Sequence, residues 1–175
     1  MAEAGFPDGF ETTLHVPSGR YYKDVSLATA VAADLLKVGV KAEIRIMDWD
    51  TYIPFILRDQ EEAEHQLFVL GWSTLTGDAD YGLYPLFNSG EWPKKGTNAS
   101  FFKNEKLDQL LDTARTTANS NERKKLYKEA MALIVEEAPW VFLYSEMEIT
   151  GIRPNVKDIF VQPTERVIVK QAKIE

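Results

Sequence analysis

The sequence predicts an α/β domain in which helices flank a mixed sheet, and three patterns carry that prediction. Residues 10–47 read strand, helix, strand. Residues 66–70 add an apolar strand behind an acidic loop, and two amphipathic helices follow between Leu107 and Pro139. At 175 residues with 45% hydrophobic side chains, the chain sits in the range of one ordinary globular domain and buries a core without staples.

The elements follow in order. Residues 10–16 form the first strand; Ala28, Val31, Ala32 and Leu35 then recur at helical spacing. Gly39 stops that helix, and residues 41–47 alternate Ala42, Ile44 and Ile46 with charge. Parallel strands joined this way cross over right-handed, which puts both carboxyl ends on one edge of the sheet. Asp50 is placed to cap a short helix running to Leu57, with Pro54 in its first turn, where a missing N–H costs little. Glu61, Glu62 and Glu64 read as a solvated loop before the strand at 66–70. Asp80 precedes a helical stretch at 81–87 and reads as its cap, while Asp78 closes the turn at Gly77. Residues 88–100, with Gly90, Pro93 and Gly96, form an irregular connection carrying Trp92. Leu107, Leu110, Leu111 and Ala114 make the inward stripe of the next helix, and Asn119 with Glu122 three residues on opens the one after. Pro139 ends that helix, and 140–144 reads as a central strand because it is apolar at successive positions. Residues 156–161 and 167–174 are further extended stretches around Gln162-Pro163-Thr164.

Composition narrows the function. A net charge of −7 without a basic stripe argues against a nucleic-acid partner. The absence of cysteine removes disulfides and thiolate ligands, and His15 and His65 lie far apart outside any metal motif, so no metal or other cofactor is expected. No apolar run reaches bilayer length, and Met1-Ala2-Glu3 is not a basic and then apolar leader, so the chain as written is expected to be soluble. No Ser/His/Asp, Cys/His, P-loop or dinucleotide pattern occurs. A hydrolase would have to use Asp78 and Asp80 as paired carboxylates, and the cap and turn roles are favoured over it.

Two places offer ligand chemistry. Gly19-Arg20-Tyr21-Tyr22 lies between a strand end and a helix start, where ligands of open α/β sheets bind and where a guanidinium fork suits a carboxylate. An exposed loop Arg beside two packing tyrosines explains the same residues equally well. Trp72, beyond the strand at 66–70, should emerge at the same edge as an apolar plate with one donor; packing at the strand end is its structural alternative. Core or lobe packing is preferred for Trp49, Trp92 and Trp140.

The run GWSTLTGDADYGLYPLF, together with AEAGFPDGF, GRYYKD, GVKAEI, NERKKLYKEA and EEAPWVFLY, resembles the peptide-type solute-binding proteins of ABC importers from Ala2 to about Glu175. The resemblance implies a periplasmic-binding-protein-like lobe, the carboxyl-terminal one of a longer two-lobed protein. Residues 1–155 would be the lobe and 156–175 a tail returning to the first lobe, its edge left unpaired here. It implies ligand capture by lobe closure without chemistry, an ABC permease as partner, and an extracytoplasmic location, in the periplasm or lipid-anchored at the outer face of the cell membrane. It also implies that Arg20 and Tyr22 receive a ligand carboxylate and that Trp72 packs on the ligand. Many peptide-binding members carry Asp three residues after that Trp to pair with the peptide ammonium, whereas this chain has Leu75. A desolvated ammonium without a partner is costly, and the spelling of the run is closer to members assigned to glutathione import. Thr74 and Thr76 would supply neutral hydrogen bonds, with Asp78 a minor candidate for an ammonium. The rival from another class is a free-standing interaction or self-associating module that uses the same exposed lobe face.

Overall fold

The computed structural model describes residues 1–147, 149–162, 164 and 166–175. They divide into two compact units, Met1–Trp72 with Gly90–Phe101, and Ser73–Ser89 with Phe102–Glu175.

The first unit is built on strands β1 (Phe10–Ser18), β2 (Val40–Asp48) and β3 (Leu67–Phe68), all parallel in the order β2-β1-β3. Helix α1 (Asp24–Lys37) makes the β1–β2 crossover, as the helical spacing predicts. Alternation on β1 sends Leu14 and Val16 to one face, where they meet Ala28 of α1 within a cluster completed by Val31, Ala42, Ile44 and Val69. Helix α2 (Trp49–Ile56) brings buried Tyr52 and Ile56, and its Phe55 ring lies 4.6 Å from that of buried His15. A glycine pair closes the amino-terminal end: Phe10 N–H donates to the Gly39 carbonyl at 3.1 Å, and a Cβ on Gly9 would sit 1.9 Å from that oxygen.

Three details here differ from expectation. The α2 cap is Asp48, which accepts from Thr51 N–H at 3.0 Å, because β2 runs to Asp48 and leaves Asp50 inside the first turn. Pro54 is therefore interior to a helix that starts at Trp49. The strand expected at 66–70 makes ladder pairs only at Leu67 and Phe68, extended by Val69 N–H donating to the His15 carbonyl at 3.0 Å. Residues 90–101 pack onto the same unit: His65 Nε2 donates to the Ala99 carbonyl at 2.8 Å, and Lys94 pairs with Asp59.

The second unit holds α3 (Ala79–Phe87), α4 (Glu105–Thr116) and α5 (Ser120–Glu137). Leu107, Leu111 and Ala114 on α4, and Tyr127, Ala130 and Ile134 on α5, are the buried faces that three- and four-residue spacing predicts. Leu110 is half-buried at the margin of the stripe. Asn104 caps α4 through Leu107 N–H at 3.1 Å, and Asn119 caps α5 through Asn121 and Glu122 at 3.0 and 3.1 Å. Helix α5 ends at Glu137, where Ala138 turns to a left-handed φ of 48° just before Pro139.

Beyond it, the central strand expected at 140–144 is not formed. Trp140 packs on Phe87 with ring centroids 4.9 Å apart, but Val141, Phe142, Leu143 and Tyr144 are exposed and belong to no ladder. Apolar character alone does not make a strand; a neighbour must supply the pairing. The tail instead pairs with itself: β4 (Val156–Lys157) with β7 (Lys173–Ile174), and β5 (Phe160–Val161) with β6 (Val167–Ile168), both antiparallel. Parallel and antiparallel pairings are thus both present, in separate sheets. The expected unpaired tail edge is corrected to that extent, although Phe160 and Ile174 stay 60% and 82% exposed. Of the turn at Gln162-Pro163-Thr164, Pro163 lies outside the described residues.

Candidate functional site

The parallel register places the carboxyl ends of β1 and β3 on one edge, and the first unit gathers its ligand-type groups there. Asp24, the first residue of α1, turns its carboxylate back into the β1–α1 loop and accepts from Arg20, Tyr21 and Val25 N–H at 3.1, 3.2 and 2.9 Å. Burial raises the Asp24 carboxyl, but the loop N–H groups of Val25, Tyr21, Arg20 and Gly19 outweigh it and hold the group below its ordinary value. The amides of Gly19, Arg20, Tyr21 and Val25 are therefore turned to Asp24, and an exposed element that suits an anion at this edge is the Arg20 guanidinium. It lies 5.1 Å from the centroids of both the Tyr21 and Trp49 rings.

Tyr21, rather than Tyr22, is built into this edge. Its hydroxyl accepts from Gly71 N–H at 2.9 Å and lies 3.3 Å from the Gly71 carbonyl, and its ring meets Trp49 edge-on at 5.9 Å. Tyr22 is 77% exposed, with the Lys23 ammonium 5.3 Å over its ring. Trp72 follows Gly71 directly and is half-buried. Beneath them Tyr52 anchors the end of β3, accepting from Val69 N–H at 3.1 Å and donating to the Val69 carbonyl at 2.7 Å. Burial pushes the Tyr52 phenol well above its ordinary value, which keeps it a donor.

In the second unit, residues 73–78 form a turn. Gly77 N–H donates to the Thr74 carbonyl at 2.8 Å with Gly77 at φ 69°, Leu75 N–H donates to the Ser73 carbonyl at 3.0 Å, and Thr76 Oγ1 accepts from Asp78 N–H at 3.2 Å. Leu75 is 41% exposed, and Thr74 is exposed. Asp78, not Asp80, caps α3, accepting from Asp80 N–H at 2.8 Å. Its oxygens also receive the Arg123 fork at 2.7 and 2.8 Å, and Arg123 further donates to the Ala114 carbonyl and the Tyr127 hydroxyl, each at 3.0 Å. The fork first, and the Asp80 amide second, hold the Asp78 carboxyl below its ordinary value. Asp80 pairs with Arg115 at 3.0 Å, whose guanidinium lies 3.5 Å over the Tyr84 ring.

Sequence reasoning missed Tyr21, Trp49, Gly71 and Arg123. Their partners lie tens of residues away, and no local spacing signals such pairs. Among the described residues no cluster of His, Asp or Glu could hold a metal ion, and no helix is long and apolar enough to cross a membrane.

The fold is that of a periplasmic binding protein lobe. A dipeptide-binding protein from Pseudoalteromonas sp. SM9913, solved with Met-Leu, superposes over 99% of this chain and 34% of its own at TM-score 0.75 and 27% identity. DppA from Helicobacter pylori, solved with the peptide STSA, does so over 80% of this chain and 26% of its own at 0.70 and 31%. The glutathione-binding protein GsiB of Salmonella typhimurium is 35% identical over 164 residues, 93% of this chain and 32% of the GsiB sequence, so the chain spans about a third of the curated relatives it matches. The family model for bacterial extracellular solute-binding proteins, family 5, middle part, matches residues 1–94. The chain belongs to the bacterial extracellular solute-binding proteins of family 5. These relatives are named as binding proteins, and in this chain Asp78 and Asp80 are each engaged by an arginine, Arg123 and Arg115.

Proposed function

We propose that this chain is one lobe of the substrate-binding component of an ABC importer for peptides, with glutathione as the favoured ligand. The observation that carries this reading is the 164-residue match to glutathione-binding proteins, running through the segment in which Leu75 stands. In this reading Arg20 receives a ligand carboxylate, Trp72 is the apolar plate, Thr74 and Thr76 supply neutral hydrogen bonds, and Leu75 excludes a free peptide ammonium. Tyr22 is exposed and would join Arg20 at the ligand carboxylate, whereas Asp78 serves as a buttress through Arg123. Capture works by closure of two lobes, delivery is to a membrane permease, and the location is extracytoplasmic, periplasmic or held by a lipid anchor at the outer face.

Titration calorimetry tests the reading. The chain alone should bind glutathione very weakly, since one lobe leaves half of a ligand in water, and the complete two-lobed protein should bind it tightly. In that protein Leu75→Asp should shift preference from glutathione toward dipeptides by about 10- to 100-fold, the worth of a partly desolvated charge pair. Unchanged affinities for both ligands would remove Leu75 from the pocket and glutathione from the proposal.

A second reading, a self-associating module, is favoured by the exposed run of Val141 at 84%, Phe142 at 59%, Met147 at 87% and Ile149 at 89%. Sedimentation of the chain decides: monomer at high concentration removes it.

A further inference from the structure

We infer that Tyr21 is a positioning residue that couples the Arg20 loop to Trp72 through one ring. The inference rests on the proposed reading of Arg20 and Trp72 as ligand contacts. The Tyr21 ring supports the Arg20 guanidinium at 5.1 Å. At its other end the hydroxyl holds both main-chain groups of Gly71, the residue before Trp72. Fifty sequence positions separate the two, and the β3 ladder stops at Phe68, so Tyr21 bridges a stretch that sheet pairing does not reach.

Gly71 is part of the device. Its backbone needs no left-handed conformation, yet a Cβ there would lie 2.8 and 3.1 Å from the Tyr21 Cε1 and Cζ. That ring is pinned at its hydroxyl and against Trp49, so it cannot yield cheaply. Absence of a side chain at 71 lets the ring approach the backbone closely, and the hydroxyl then fixes the start of Trp72. A phenylalanine at 21 would fill the same space and keep the guanidinium support, but would leave Gly71 untethered. Misplacing a binding group by a fraction of an ångström is enough to weaken recognition, which gives the tether a functional consequence beyond stability.

The test compares Tyr21→Phe and Gly71→Ala in the two-lobed protein, with glutathione as probe and 5-fluorotryptophan labelling to follow Trp72, assigned by Trp72→Phe. Tyr21→Phe should weaken glutathione binding about tenfold, the loss of one positioning interaction. It should also shift or broaden the Trp72 resonance in the ligand-free protein, and Gly71→Ala should do the same with the hydroxyl retained. The losses from Tyr21→Phe and Arg20→Ala should fail to add, because both act through one coupled edge. An unchanged Trp72 resonance in Tyr21→Phe overturns the inference, whether or not the variant melts lower, and so does unchanged affinity. If the wild-type protein does not bind glutathione, the ligand reading falls while the resonance, read without ligand, still decides whether Tyr21 positions Trp72.

Discussion

Replacing Tyr52 by Phe removes one buried oxygen and nothing else, and its cost follows from the hydrogen bonds around Val69. Tyr52 is 0% exposed; its hydroxyl accepts from Val69 N–H at 3.1 Å and donates to the Val69 carbonyl at 2.7 Å. The Val69 N–H keeps a partner in the variant, the His15 carbonyl at 3.0 Å. The Val69 carbonyl, on a half-buried residue, loses its short bond. One net hydrogen bond plus part of a carbonyl's desolvation sums to about 1.5–2 kcal/mol. For a chain of this size that corresponds to a fall in Tm of about 3–8 °C. Truncation to Ala, which also removes a ring stacked on Trp49 at 6.0 Å, should cost about 4 kcal/mol. Urea melts followed by circular dichroism give the free energies, and amide exchange at Val69 and Gly71 localises the effect. A Tyr52→Phe variant with unchanged stability and unchanged exchange would show that the end of β3 is not held by this hydroxyl.

Arg123→Gln removes the fork on Asp78; with the two side chains 27% and 41% exposed, water screens the pair and the expected loss is about 1–2 kcal/mol. Because the Asp78 carboxyl is depressed in the folded chain, its contribution is present above the ordinary carboxylate value of about 4 and is lost as pH falls through the folded value. Acid melts should therefore converge for wild type and Arg123→Gln, and curves that stay parallel would refute the pairing. Burial pushes the His15 imidazole down, with His65 and Arg45 acting the same way and the Leu67 carbonyl and Glu64 opposing. Stability from neutral His15 should be complete above about pH 6.5 and be lost below it, since the unfolded chain takes the proton first. Melts of His15→Phe should lack that loss, and an identical pH profile would refute it. Leu111→Ala on α4, fully buried, should cost about 3 kcal/mol in a denaturant melt, and a loss under about 1 kcal/mol would mean the α4 stripe is not core.

The βαβ unit was legible because its signals are local: a period of two in residues 41–47, a helical period before it, and a glycine between them. The helix caps show where local reading fails. Asp48 and Asp50 offer the same chemistry two residues apart, as do Asp78 and Asp80, and the choice falls to where the preceding segment ends. Residues 140–144 look like a central strand, but a strand exists only with a neighbour, and none of the described strands pairs with them. At the site, Arg20 and Trp72 stood out by type and position, and the register of β1 and β3 puts the segments that carry them at one edge. Tyr21 did not stand out from Tyr22, because what separates them is Gly71, fifty positions away.

The end of β3 is held by hydroxyls that grip main-chain atoms, Tyr52 on Val69 and Tyr21 on Gly71. Main-chain atoms are common to nearly every residue type, so this grip does not depend on which side chains residues 70 and 72 carry. Exchanging the side chain at 72 leaves both of these bonds in place, so the strand end stays where it was while the surface beside it changes.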